Sequence, residues 1–171
     1  MINEKVAKLL NDQVNKEFYS AYLYLDFANF YADKGLEGYQ NWYNIQASEE
    51  RDHALLFIQY MQNNGLSVEL EAIAKPDVKI QGLIDPLKEA YAHEQFVTAS
   101  INDIYSAAAE VKDYRTMQFL DWFIMEQGEE ETNANDMVQK FELFGSDPRS
   151  LYSLNSEMAG RVYSAPSLVL D

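Results

Sequence analysis

Cysteine is absent from the 171 residues, which excludes disulfides, zinc ribbons, iron–sulfur clusters and thiol catalysis together. Basic residues are scarce: 13 Lys and Arg face 28 Asp and Glu, for a net charge of −15. That balance opposes binding to nucleic-acid phosphates and suits a chain that attracts cations. No run of about 18 apolar residues is present, so no membrane span is expected. The opening Met1-Ile2-Asn3-Glu4-Lys5 lacks the basic and apolar regions of a secretory leader, which makes the cytoplasm the expected compartment. What the chain does have is 47% hydrophobic residues, enough for a sizeable core in one soluble domain spanning 1–171.

The few glycines and prolines act as punctuation. Gly35 after Asp33-Lys34 closes a first helix that starts near residue 5, and Asn63-Asn64-Gly65 closes a second. Residues 66–82 carry Pro76 but no sustained helical period, and read as a long connection. Asp85-Pro86 opens a third helix, Asp113 caps a fourth that Gly145 ends, and Asp147-Pro148 opens a short fifth reaching about Ala159. The remainder, about 160–171, reads as a tail that is either docked or disordered. Main helices of about 28 residues are ~42 Å long. The long connection, ~56 Å when extended, can return along a whole helix, so the predicted architecture is all-α: a four-helix bundle with one long crossover and a short fifth C-terminal helix.

Each long helix carries an apolar stripe with a polar interruption. The first places Leu10, Glu17, Ala21, Tyr24 and Ala28 on one face; the third runs Leu87, Ala90, Glu94, Val97, Ile101, Ile104 and Ala108. The fourth runs Leu120, Phe123, Gln127, Glu130, Ala134, Met137, Phe141 and Phe144. In the second, Trp42, Ile45, Phe57 and Tyr60 flank Glu49, Glu50 and His53. A single glutamate in mid-helix is ordinarily solvated. Four interruptions, each within about three residues of its helix midpoint, share a layer ~5 Å thick whichever way the helices run. Buried carboxylates cost several kcal/mol unless a cation or hydrogen bonds compensate them.

A carboxylate-rich layer with one histidine favours iron or manganese over thiolate-preferring metals. Two ions fit better than one: Glu50 can bridge, with Glu17 and His53 on one side and Glu94 and Glu130 on the other. A bridged iron pair can pass two electrons at once to an oxidant. His93, one position off the stripe, reads as a supporting or surface group, and Trp122 as core. Tyr24 can pack or donate an electron. Aromatic residues surround the first helix, including Phe18, Tyr19, Tyr22, Phe27, Phe30 and Tyr31, which suits a subunit covered on both sides in an assembly.

Over nearly its whole length the chain resembles the non-haem bacterial ferritins of the ferritin-like superfamily. The resemblance is carried by Glu17, Tyr24, Ser48-Glu49-Glu50-Arg51-Asp52-His53, His93-Glu94-Gln95 and Glu126-Gln127-Gly128-Glu129-Glu130-Glu131. It implies a ferroxidase centre in which Glu17, Glu50 and His53 bind the first iron, and Glu50, Glu94 and Glu130 the second, with Gln127 beside it and Tyr24 in a site role. It also implies a third iron position at Glu49, Glu126, Glu129 and Glu130. The same resemblance implies Fe(II) oxidation by O2 or hydrogen peroxide and a 24-mer cage storing ferric oxyhydroxide.

Departures narrow the reading. Many ferritin-like di-iron proteins carry a second Glu-x-x-His on the fourth helix, whereas Gln127 and Glu130 stand here. A neutral glutamine binds less tightly, favouring iron in transit over a permanent cofactor. Asp52 stands where bacterioferritins present a haem-ligating methionine, so no haem is expected. Gly128 costs about 1 kcal/mol in mid-helix and suggests space beside the site. A rubrerythrin-like peroxidase would bring a cysteine-rich module or a seventh carboxylate, and a non-catalytic cage subunit would lack ligands.

Overall fold

The computed structural model describes residues 2–170. It contains α1 (Glu4–Asp33), α2 (Glu37–Asn63), α3 (Asp85–Glu110), α4 (Tyr114–Phe144) and α5 (Pro148–Met158), with no strand among the described residues. The ends follow local chemistry. Asn3 accepts from Lys5 N at 2.9 Å, Asp113 from Thr116 N at 3.1 Å and Asp147 from Ser150 N at 2.8 Å, each satisfying an amide that a helix start leaves unpaired. Gly35 and Gly65 adopt φ of +69° and +73° after α1 and α2, a conformation glycine reaches without strain. Asp85 works in the opposite direction from a cap: its carboxylate accepts from Gln81 N at 2.7 Å and Gly82 N at 2.8 Å, tying the end of the crossover to α3.

The order of the core along each helix gives the topology. One apolar cluster contains Val6, Leu10 and Val14 of α1, Phe57 and Tyr60 of α2, Ile101 and Ile104 of α3, and Phe119 and Phe123 of α4. The other contains Tyr24, Phe27 and Tyr31, then Tyr39 and Tyr43, then Leu87 and Ala90, then Met137 and Val138. Going forward, α1 and α4 pass from the first cluster to the second, while α2 and α3 pass from the second to the first. Thus α2 and α3 run the same way, which only a long crossover permits. That crossover lies along α1. Asn11 pairs with both the amide and the carbonyl of Glu69 (2.9 and 3.0 Å), Asn15 Nδ2 donates to Ala72 O at 3.2 Å, and Tyr31 OH donates to Leu83 O at 2.7 Å.

Between the two clusters every long helix turns polar. Gln13, Glu17, Gln46, Glu50, His53, Glu94, Gln127 and Glu130 are all buried there, at relative exposures of 0–4%. A core divided by such a layer gives up part of its apolar burial, about 1.5–3 kcal/mol for each large side chain that could have stood in its place.

The second helix departs from the expected stripe. Gly38, Tyr39, Tyr43, Gln46 and Ala47 are its buried residues before Glu50, whereas Trp42 and Ile45 are only half-buried. Tyr39 and Tyr43 stack on Tyr31 at ring separations of 5.0 and 5.8 Å, and this aromatic contact decides the rotation of α2. At the end of the fourth stripe Phe144 is exposed and Phe141 half-buried. Tyr22 and Phe96 leave 50% and 54% of their surface uncovered outside the bundle, too much for core positions.

Candidate metal centre

Glu17 from α1 and Glu50 and His53 from α2 each offer one ligand atom, and these atoms all lie within 4.8 Å of one another. Helical geometry sets this up, since residues three apart share a face. His53 Nδ1 lies 3.5 Å from Glu50 Oε2, and Nε2 points outward, 4.0 Å from Glu126 Oε1. Two glutamines fix the carboxylates from one turn below. Gln13 Nε2 donates to Glu17 Oε1 and Gln46 Nε2 to Glu50 Oε1, both at 2.8 Å. The second oxygen of Glu17, Oε2, is buried and accepts no hydrogen bond, alone in this among the side-chain atoms of the described residues. A buried polar atom left so costs about 1–3 kcal/mol, and more if charged.

The electrostatics describe an acid cluster short of positive charge. Burial, reinforced by repulsion from Glu50, pushes Glu17 up to about 8. Burial and Glu50 likewise push Glu130 up to about 8, and raise Glu94 with a further contribution from Glu130. Burial alone would lower His53, but its hydrogen bond to Glu50 and the charges of Glu50, Glu17 and Glu130 outweigh that and raise it to about 10. Glu50 moves the other way: burial opposes its charge, but the His53 contact and the Gln46 hydrogen bond prevail and lower it. Without metal, protons and one imidazolium supply the positive charge; a divalent cation could replace them.

Glu94 and Glu130 lie outside the tight set of three but in the same buried layer. Tyr24 OH donates to Glu94 Oε1, and Gln127 Nε2 donates to Glu94 Oε2 at 3.1 Å. Burial and the surrounding acids raise the Tyr24 phenol, which keeps it a protonated donor. His93 takes no place in the set: Ser20 Oγ meets its Nε2 at 2.7 Å, its ring packs against Tyr19, Tyr24 and Phe96, and burial lowers it.

The outer acids lie on the other side of His53. Glu49, His53, Trp122, Glu126 and Glu129 line a cavity of about 270 Å³ together with Ser164, Ala165, Pro166 and Ser167. The tail is therefore docked. Arg161 donates to Glu49, Tyr163 OH to Asp52, Gln59 Nε2 to Leu170 O at 3.0 Å, and Trp122 Nε1 to Ser167 Oγ at 2.8 Å. Trp122 stands at the edge of the core: it is half-buried and packs on the first apolar cluster, with its indole N–H turned to the tail. Gly128 is exposed with open space over it: a Cβ there would meet nothing within 4 Å.

Gln13, Gln46, Ser100 and Arg161 went unnoticed in the sequence. A signal existed for the glutamines, which precede Glu17 and Glu50 by four residues on stripe positions. Nothing local identifies Ser100, whose hydroxyl donates to Gln13 Oε1 at 2.7 Å across the bundle, or Arg161.

A family model described as a ferritin-like domain matches residues 7–144. A bacterial non-heme ferritin from Campylobacter jejuni is 39% identical over 152 residues, covering 89% of this chain and 91% of that protein. One from Staphylococcus haemolyticus is 32% identical, covering 95% and 98%. Among solved structures, an open-pore ferritin from Archaeoglobus fulgidus superposes with a TM-score of 0.92 at 38% identity, covering 95% of this chain and 100% of its own. A humanized archaeal ferritin gives 0.94 at 38%, covering 96% and 99%.

Proposed function

The chain belongs to the ferritin family, and on that premise we propose that it oxidises Fe(II) to Fe(III) at a di-iron centre within each subunit and stores the product as ferric oxyhydroxide inside a closed shell of twenty-four copies in the cytoplasm. Iron is the substrate and cargo. The observation that carries the reading is Glu17 Oε2, a buried carboxylate oxygen with no hydrogen bond, beside Glu50 and His53 with their ligand atoms within reach of one ion.

In this reading Glu17, Glu50 and His53 take the first Fe(II), and Glu50, Glu94 and Glu130 the second, with Gln127 beside it. Each ion gives up one electron. The pair reduces O2 with two protons to hydrogen peroxide, or hydrogen peroxide with two protons to water. Tyr24 holds Glu94 through its hydroxyl. Glu49, Glu126, Glu129 and Glu130 form an outer position through which ferric product leaves, and the cavity that the first three share beside His53 supports it. Gln127, a neutral group, leaves the second ion less tightly held and suits release.

Glu50→Ala tests the assignment, because only Glu50 belongs to both positions. Stopped-flow absorbance should show the rapid ferric signal abolished while helical content and particle mass stay as in the wild type. Wild-type oxidation rates in this variant would overturn the centre.

A further inference from the structure

We propose that Arg161 is a tethered cation paired with Glu49 at the edge of the outer acid position, so that an iron ion takes Glu49 in competition with the guanidinium. The inference rests on the outer position assigned above.

Arg161 follows the end of α5, and its side chain is held on three sides. Nη2 donates to Glu49 Oε2 at 2.5 Å, Nη1 donates to Gln46 Oε1 at 2.8 Å and to Trp42 O at 3.3 Å, and the guanidinium lies 4.1 Å over the Trp42 ring. Side-chain exposure is only 20% for Arg161 and 15% for Glu49, so this is not a loose surface pair. The backbone is also fixed: Asn41 Nδ2 donates to Arg161 O at 3.1 Å, and Asn155 of α5 accepts from Gly38 N at 2.9 Å. Beyond it, residues 164–167 form part of the wall of the 270 Å³ cavity lined by Glu49, Glu126 and Glu129.

The competition is electrostatic. A metal ion binds a carboxylate oxygen at about 2.0–2.2 Å, and a guanidinium already paired with that carboxylate sets its positive charge against the incoming cation. A cation entering the cavity can meet Glu126 and Glu129 freely, but gains Glu49 Oε2 only against the charge of Arg161. Affinity at the outer position is then scaled down by the fraction of time the arginine is away. Such a weak exit position passes ions on. Departure also frees Gln46, whose Nε2 holds Glu50, so the exit is connected to the bridging ligand through one side chain.

The test uses the assembled protein and Zn(II), a redox-inert probe, with site occupancy read by anomalous scattering from crystals soaked over a concentration series. Arg161→Gln should fill the position between Glu49, Glu126 and Glu129 at least tenfold lower in Zn(II) than the wild type does, while the Glu17–Glu50–His53 position still fills. Arg161→Lys, which keeps charge but not the fork, should fall between. Adding Glu49→Gln should remove the difference. In the wild type, Zn(II) on Glu49 Oε2 should coincide with Arg161 swung away. Equal outer occupancy in wild type and Arg161→Gln, or Zn(II) on Glu49 Oε2 with Arg161 still in contact, overturns the proposal. Should Arg161→Gln fail to assemble, a chain ending at Gly160 carries the same expectation. Failure of Zn(II) to bind among Glu17, Glu50 and His53 in any of these proteins would instead sink the di-iron reading itself.

Discussion

Gln13 Nε2 donates to Glu17 Oε1 at 2.8 Å, which leaves Oε2 as the carboxylate oxygen without a hydrogen bond in a side chain grouped with Glu50 and His53. The amide is itself fixed, because Ser100 Oγ donates to Gln13 Oε1 at 2.7 Å from the facing helix. Gln46 repeats the device on α2: Nε2 holds Glu50, and Oε1 accepts from Arg161 at 2.8 Å. Each glutamate thus presents a chosen oxygen inward, and its supporting amide cannot flip without losing its own partner.

Gln13→Leu should therefore weaken metal binding at the first position without emptying the second. Loss of a group that orients a ligand typically costs about 10- to 100-fold in affinity. Co(II) titration followed by visible absorption should show the tighter, first-position step shift in that range. A titration unchanged from the wild type would mean that Glu17 holds its orientation through packing alone.

Two glycines make opposite predictions. A Cβ on Gly38 would stand 1.7 Å from Asn155 O, a backbone atom that cannot yield unless α5 moves. Gly38→Ala should destabilise the fold by about 1–3 kcal/mol, the range for overpacking, and should loosen the Arg161 contact that follows α5. Gly128, exposed in mid-helix with nothing within 4 Å of a Cβ, should become more stable as alanine by about 1 kcal/mol. Urea midpoints of the two variants check both signs. Failure of Gly128→Ala to assemble would mark that face of α4 as a subunit contact.

The sequence made the bundle legible because its signals were local and repeated. Asp113, Asp147, Gly35 and Gly65 act within one turn of themselves, and the stripe positions Glu17, Glu94, Gln127 and Glu130 stand out against apolar neighbours at helical spacing. Tyr39 and Tyr43 were harder, since the rotation of α2 depends on their stacking against Tyr31 from another helix. Arg161 was hardest. It lies 112 residues from Glu49, in a segment with no period, and only the docking of α5 through Gly38 and Asn155 brings the two together.

Glu129→Ala separates the outer acids from the primary pair. Glu129 lines the cavity with Glu49 and Glu126 and is exposed, unlike the buried Glu130 beside it. The substitution should alter the ratio of Fe(II) oxidised to O2 consumed, measured by oxygen electrode, while the fast phase in stopped flow persists. Disappearance of the fast phase would place Glu129 in the primary centre.

The acidic surplus should act at longer range. With a net charge of −15 on each chain, any closed assembly repeats that charge around its shell and draws Fe(II) toward its openings. Salt screens this attraction, with a Debye length of about 10 Å at 0.1 M, whereas ligands in the buried layer at 0–4% exposure are screened much less. Raising ionic strength should therefore slow iron uptake from bulk Fe(II) while the oxidation step after loading changes little. Uptake and oxidation rates measured on the same particles over 0.05–0.5 M salt, a range of order threefold in screening length, separate the two. Light scattering that reports monomers or dimers at micromolar concentration would refute the shell. The exposed Tyr22 and Phe96 would then need another partner, and the centre would belong to a soluble di-iron oxidase.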